Sequence, residues 1–163
     1  MMKRLFTPVL GMLLMVGIPA SLSAKGRTVR ITIKGTDLKT PIEITDPTIL
    51  ANFNVWTNSN KGKGLIVDWS QGTISPPPKG FPLYEVFFYV DIGKQQEKPV
   101  YVVSYGYDPS TRRGYVYLPG KGDKWWELNV RSIFRSVEGN WFSAWSVWED
   151  VARPLITKAK ATT

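Results

Sequence analysis

The 163-residue chain contains no histidine and no cysteine. Without imidazole, the commonest general base and every Ser-His or Cys-His nucleophile are missing. Without either residue, zinc, copper, haem and iron–sulfur sites of ordinary type are also missing, so no cofactor and no metal is expected. Carboxylates remain. Two of them could in principle run a glycoside hydrolysis, with one acid protonating the leaving oxygen and the second acting as nucleophile or base. These are Asp68, beside Trp69, and Glu85, within the apolar run 83–90. Burial would raise the Glu85 pKa and suit it to acid catalysis; an ion pair with Lys or Arg would make it structural. A serine with a lysine base needs a spacing such as S-x-x-K, and no serine beyond residue 24 has it. The Gly-Lys-Gly phrases at 62–64 and 120–122 lack the following Lys-Ser/Thr of a phosphate loop and read as turns. The 13 acidic residues are dispersed, with no calcium-loop spacing.

Binding chemistry is better supplied. Lys and Arg number 21, for a formal charge of +8, a balance that favours anionic surfaces. No run of five cations occurs; Arg112 and Arg113 form a basic pair at a turn and are candidate binding residues. There are seven Trp, seven Tyr and seven Phe, and Trp125, Trp126, Trp141, Trp145 and Trp148 crowd the last third. Exposed rings stack on sugars and anchor interfaces. Adjacent Trp125 and Trp126 cannot both face inward on a strand, so this pair is the candidate aromatic contact. The other three are expected in the core.

The elements that must position these residues follow from periodicity. Residues 28–34 alternate Val29, Ile31 and Ile33 with Arg30, Thr32 and Lys34, a strand with one wet face. A second strand follows at 42–45, and Asp46-Pro47 reads as a helix start. Residues 56–64 read as a loop, 65–69 as a third strand, and 71–82, with Pro76, Pro77 and Pro78, as a stiff spacer. The run 83–90 is apolar on both faces apart from Glu85, as in a central strand. Residues 100–107 and 115–118 form a hairpin whose turn opens at Asp108-Pro109 and closes at Gly114, with Tyr101, Val103, Tyr105 and Tyr107 on one face. Residues 125–137 fit strand and helix periods alike, and the Glu138-Gly139-Asn140 turn favours a last hairpin. Ser146 and Glu149 stand at capping-box spacing before a helix with Trp148, Val151, Leu155 and Ala159 on one stripe and Pro154 inside it. The fold class expected is α+β: a mainly antiparallel sheet, a short helix in the N-terminal half, and a C-terminal helix covering one face.

The N-terminus has the order of an export signal: Lys3 and Arg4, an uncharged apolar stretch from Leu5 to Ile18, Pro19, then the small residues Ser21, Ser23 and Ala24. The apolar stretch is shorter than the ~20 residues that span a bilayer. A signal peptide over 1–24, processed between Ser23 and Lys25, leaves one domain over 25–163, with no integral membrane segment, in a periplasmic or extracellular setting. Without Lys3 and Arg4 the formal charge falls by two, to +6. Export argues against a nucleic-acid partner.

Three segments carry a family resemblance: IEITDPTILANF (42–53), VSYGYDPSTRRGYVYLPGKGD (103–123) and VEGNWFSAWSVWE (137–149). They resemble a family of uncharacterised exported bacterial proteins with T-D-P, Y-x-Y-D-P leading to Y-L-P-G, and G-x-W-F-x-A segments. The resemblance implies a bacterial envelope or extracellular setting and nothing about catalysis. Missing catalytic equipment, basic charge and surplus aromatics together point to a non-enzymatic exported domain that binds a protein partner or an anionic or glycan envelope component. The alternative is a carboxylate-based hydrolase acting on glycans.

Overall fold

The computed structural model describes residues 26–57, 64–77, 79–91, 93 and 98–161. The expected signal peptide lies outside the described residues. Among the described residues, seven strands form one antiparallel sheet: β1 (Thr28–Lys34), β2 (Ile42–Ile44), β3 (Thr73–Ile74), β4 (Leu83–Val90), β5 (Tyr101–Asp108), β6 (Arg113–Tyr117) and β7 (Trp141–Ser143). Their spatial order is β2-β1-β4-β5-β6-β7-β3. The helices are α1 (Pro47–Leu50), α2 (Trp126–Ser132) and α3 (Ser146–Ala161), with one 3-10 turn at Trp69–Gln71. The fold is α+β, as the periodicities indicate.

Strand alternation decides the two faces. Ile31, Ile33, Tyr84, Val86, Phe88, Tyr101, Val103, Tyr105, Val116 and Phe142 point to one side and form the main core with Trp148, Ala152 and Ile156 of α3. The buried stripe of α3 is thus 148–152–156, with Val151, Leu155 and Ala159 half-buried at its flank. Pro154 does not end the helix. It removes the N–H that would meet the Asp150 carbonyl, but both residues are exposed, so water can serve that carbonyl. Asp46 caps α1 as expected, accepting from the N–H groups of Thr48 (2.8 Å) and Ile49 (3.4 Å).

Three local expectations change. Leu65, Ile66 and Val67 are fully buried yet form no strand. Only isolated bridges, Phe53 with Gly64 and Val67 with Ala144, hold this run, which then turns into the 3-10 turn. An apolar run satisfies burial without a ladder. Residues 126–132 are helical rather than part of a hairpin. The reason is non-local: β6 pairs with β5 only as far as Ser104 opposite Tyr117, and the side chain of Asn129 takes over beyond that point. Its Oδ1 accepts from the Val102 N–H at 2.8 Å and its Nδ2 donates to the Val102 carbonyl at 2.7 Å. α2 thereby lies on the side of the sheet away from α3, where Trp125 and Leu128 cover Phe87, Tyr89 and Val102. Finally, Ser146 does not form the capping box. Trp145 precedes the helix, its carbonyl accepting from the Glu149 N–H at 3.1 Å, and the Glu149 side chain accepts instead from Tyr105 Oη at 2.5 Å.

Candidate functional site

α2 covers only part of its side of the sheet. Beyond it, the register lays a row of side chains across the strands: Lys34, Glu85, Ser104, Tyr117, Trp141 and Ile74. The next row on the same face is Leu83, Gly106, Tyr115 and Ser143. Period-two alternation explains why Tyr115 and Tyr117 stand together while Val116 between them enters the core. The Tyr117 and Trp141 rings, on neighbouring strands, lie 5.0 Å apart at 37°. Phe81 stacks on Tyr115 at 5.6 Å. It does so directly over Gly106, where a Cβ would come within 2.5 Å of the Phe81 ring; a side chain at 106 would displace that ring.

Polar groups border the rings and hold them in place. Glu85 Oε1 accepts from Trp125 Nε1 at 2.8 Å and from Lys124 Nζ at 3.1 Å, while Trp125 packs edge-on against Phe87 at 5.3 Å. Tyr117 Oη donates to Asp123 Oδ2 at 2.8 Å, and the same oxygen accepts from the Gly120 N–H at 2.7 Å. Burial, reinforced by the Asp123 carboxylate, pushes the Tyr117 hydroxyl above its ordinary pKa, so it stays a donor. Ser143 Oγ donates to Gln71 Oε1 at 2.9 Å. Ser104, Tyr117, Trp141 and Ser143 are half-buried and Leu83 is exposed. From Trp125 over β4 to Trp141 on β7 the face spans three strand spacings, roughly 14 Å.

The structure brings Glu85 and Trp125 into direct contact on this face. Arg113 extends it at the hairpin end, on the same side as Tyr115. Arg112 is exposed at the tip in a left-handed conformation (φ 56°). Asp108 holds that turn, accepting from the Ser110 N–H (2.8 Å), Ser110 Oγ (2.7 Å) and Thr111 Oγ1 (2.9 Å). The Ser110 hydroxyl bond leads in keeping its carboxyl below the usual range. Trp126 is half-buried at the first position of α2, one residue from Trp125.

Asp68 is elsewhere. Its backbone pairs with Ser143 on the outer side of β7, and its side chain accepts from the Ser70 N–H, Ser70 Oγ and Gln71 Nε2, an end-cap of the 3-10 turn. Four strand spacings, roughly 19 Å, separate it from Glu85. Glycosidase carboxyl pairs stand about 5 to 9.5 Å apart, so these two do not form one. Among the described residues no group of three or more acidic side chains is placed to hold a metal ion, and no helix is long and apolar enough to cross a membrane.

Sequence reasoning missed Trp141 and the tyrosines beside it. Trp148 is wholly buried, edge-on to Phe53 and Tyr105, and Trp145 packs on Phe53, as expected of core residues. Trp141 instead faces out, with Phe142 taking the inward position. The signal was the alternation Tyr-Val-Tyr at 115–117, which already set two rings on one face. No known protein family, curated protein or solved structure matches this chain.

Proposed function

We propose that the protein is an exported, non-enzymatic domain that binds a glycan of the cell envelope on the open face of its sheet. The carrying observation is the Tyr117–Trp141 ring pair, set between hydrogen-bonding groups (Glu85, Ser104, Asp123 and Ser143) on rigid strands. Sugars present an apolar ring face and a hydroxyl edge, and this face offers rings for the one and polar atoms for the other. Because the rings sit on strands and the Tyr117 hydroxyl is already tied to Asp123, little ordering is needed on binding.

The test is co-sedimentation of the mature protein with insoluble peptidoglycan. Trp141→Ala and Tyr117→Ala should each weaken binding about tenfold, as for ring anchors at other interfaces, with the thermal unfolding of each variant followed alongside. Unchanged binding in both variants would refute the reading. A protein recovered from envelope extract, lost in the same variants and without glycan affinity, would replace the glycan with a protein partner.

A further inference from the structure

The open face carries a second ring position besides the Tyr117–Trp141 pair. Phe81, just ahead of β4, stacks on Tyr115 with ring centres 5.6 Å apart and planes at 18°. Tyr115 is itself buried, so the ring offered to solvent is that of Phe81, which is half-buried. Its surroundings fix it. Gly106 leaves the room that a Cβ, 2.5 Å from the Phe81 ring, would take away. Leu83, 46% exposed, flanks the same gap, with its Cδ2 at 2.7 Å from that Cβ position. Pro82 follows Phe81 and biases its backbone toward extended conformations.

The register gives the spacing of the two ring positions. Tyr115 and Tyr117 are two residues apart on β6, and Gly106 lies beside Tyr115 on β5. Phe81, over Tyr115 and Gly106, therefore stands diagonal to Tyr117 at roughly 8 Å, two residues along a strand and one strand spacing across. Trp141 continues the diagonal on the other side of Tyr117, on β7. A pyranose is a six-membered ring about as wide as one phenyl ring, so a single sugar covers one of these positions and not both. Ser104 stands between them: it is opposite Tyr117 in register and two residues before Gly106 on the same face of β5. It is half-buried, and its hydroxyl meets no hydrogen-bond partner among the described residues. An open hydroxyl, able to donate and accept, suits the polar link between two sugars.

We infer that this face reads a chain rather than a single sugar: linked pyranoses lie diagonally across β5 and β6, one on Phe81, the next on Tyr117 and Trp141, with the linkage over Ser104. The inference rests on the glycan reading and adds the class of ligand, an internal stretch of a polysaccharide. One ligand that joins two sites makes its second contact at the high effective concentration set by the first, so binding strengthens steeply once both positions are filled.

Competition against co-sedimentation of the mature protein with peptidoglycan tests this. The competitors are glycan strands freed from peptidoglycan by amidase digestion and the single sugars N-acetylglucosamine and N-acetylmuramic acid, compared by total sugar. Strands should compete at a concentration about tenfold lower or less. Phe81→Ala should abolish that advantage and leave competition by the single sugars unchanged. Phe81→Leu keeps an apolar side chain without a ring and should lose the advantage as well, whereas Phe81→Trp should keep it; a merely structural role for Phe81 would be served by Leu. Ser104→Ala should weaken strands about fivefold, as for one lost hydrogen bond. Tyr117→Ala should weaken strands and single sugars together. Thermal unfolding of each variant checks its fold. Equal competition by strands and single sugars, or a strand advantage retained in folded Phe81→Ala and Phe81→Leu variants, would overturn the inference and leave the glycan reading standing. Absence of any co-sedimentation with peptidoglycan would overturn both.

Discussion

Replacing Asn129 tests how the sheet ends. The residue is wholly buried, and its amide meets both backbone groups of Val102, at 2.8 and 2.7 Å, where β6 has stopped. Asn129→Ala leaves that N–H and that carbonyl without partners. An orphaned buried group costs about 1–3 kcal/mol, so the pair should cost about 4 kcal/mol, a large share of the 5–15 kcal/mol of a typical domain. Asn129→Leu restores volume but neither bond and should cost a similar amount. Asn129→Asp separates the two bonds. A carboxylate can accept from the Val102 N–H but faces the Val102 carbonyl with no proton to donate, so the folded state favours the neutral acid and raises its pKa. The sign follows: stability relative to wild type is greatest below the ordinary carboxyl value of about 3.9 and falls as pH rises towards the folded value. Urea unfolding, followed by tryptophan fluorescence at pH 4 and pH 7, reads both effects. A loss below about 1 kcal/mol for Asn129→Ala, or an Asn129→Asp difference from wild type that is flat with pH, would refute a side chain standing in for a strand.

Trp148→Ala should cost about 3–5 kcal/mol in thermal or urea unfolding, since the ring is wholly buried against Phe53 and Tyr105; Ser146→Ala, at an exposed position outside the cap, should leave stability unchanged in the same assay. Burial pushes the Glu149 carboxyl up, against the Tyr105 bond and the Arg153 charge, so its contribution is greatest when it is protonated in both states and declines as pH rises through the carboxyl range. Glu149→Gln keeps an acceptor for Tyr105 and removes that titration, so its stability relative to wild type should rise from acid to neutral pH. Arg112→Ala and Arg113→Ala, exposed at the hairpin tip, should leave the melting temperature unchanged, and a large drop would make these arginines structural.

What the sequence determined by itself is what short-range physics controls. The alternation in 28–34 and 101–107, the two-faced apolarity of 83–90, the Asp108 turn and the Asp46-Pro47 helix start each depend on neighbours within a few residues. Each stands in the structure as its local pattern indicates except in β1, where a register shift between Thr28 and Arg30 leaves Val29 exposed instead of inward, and Thr32, expected on the wet face, is buried. Glu85 and Trp125 were legible as candidates from residue type, but not their 2.8 Å contact, which joins residues 40 positions apart. Tertiary structure alone decided the ambiguous cases, and always by a long-range competition for hydrogen bonds or burial. Residues 126–132 became helix because Asn129 could satisfy Val102, 27 positions away. Glu149 left its capping role because a buried tyrosine hydroxyl, 44 positions away, offered a shorter bond. Leu65–Val67 entered the core without a ladder because burial needs no strand partner. Trp141 turned outward because pairing with Tyr117 set its parity, and a one-residue difference in register exchanges the core side of a strand for its open side.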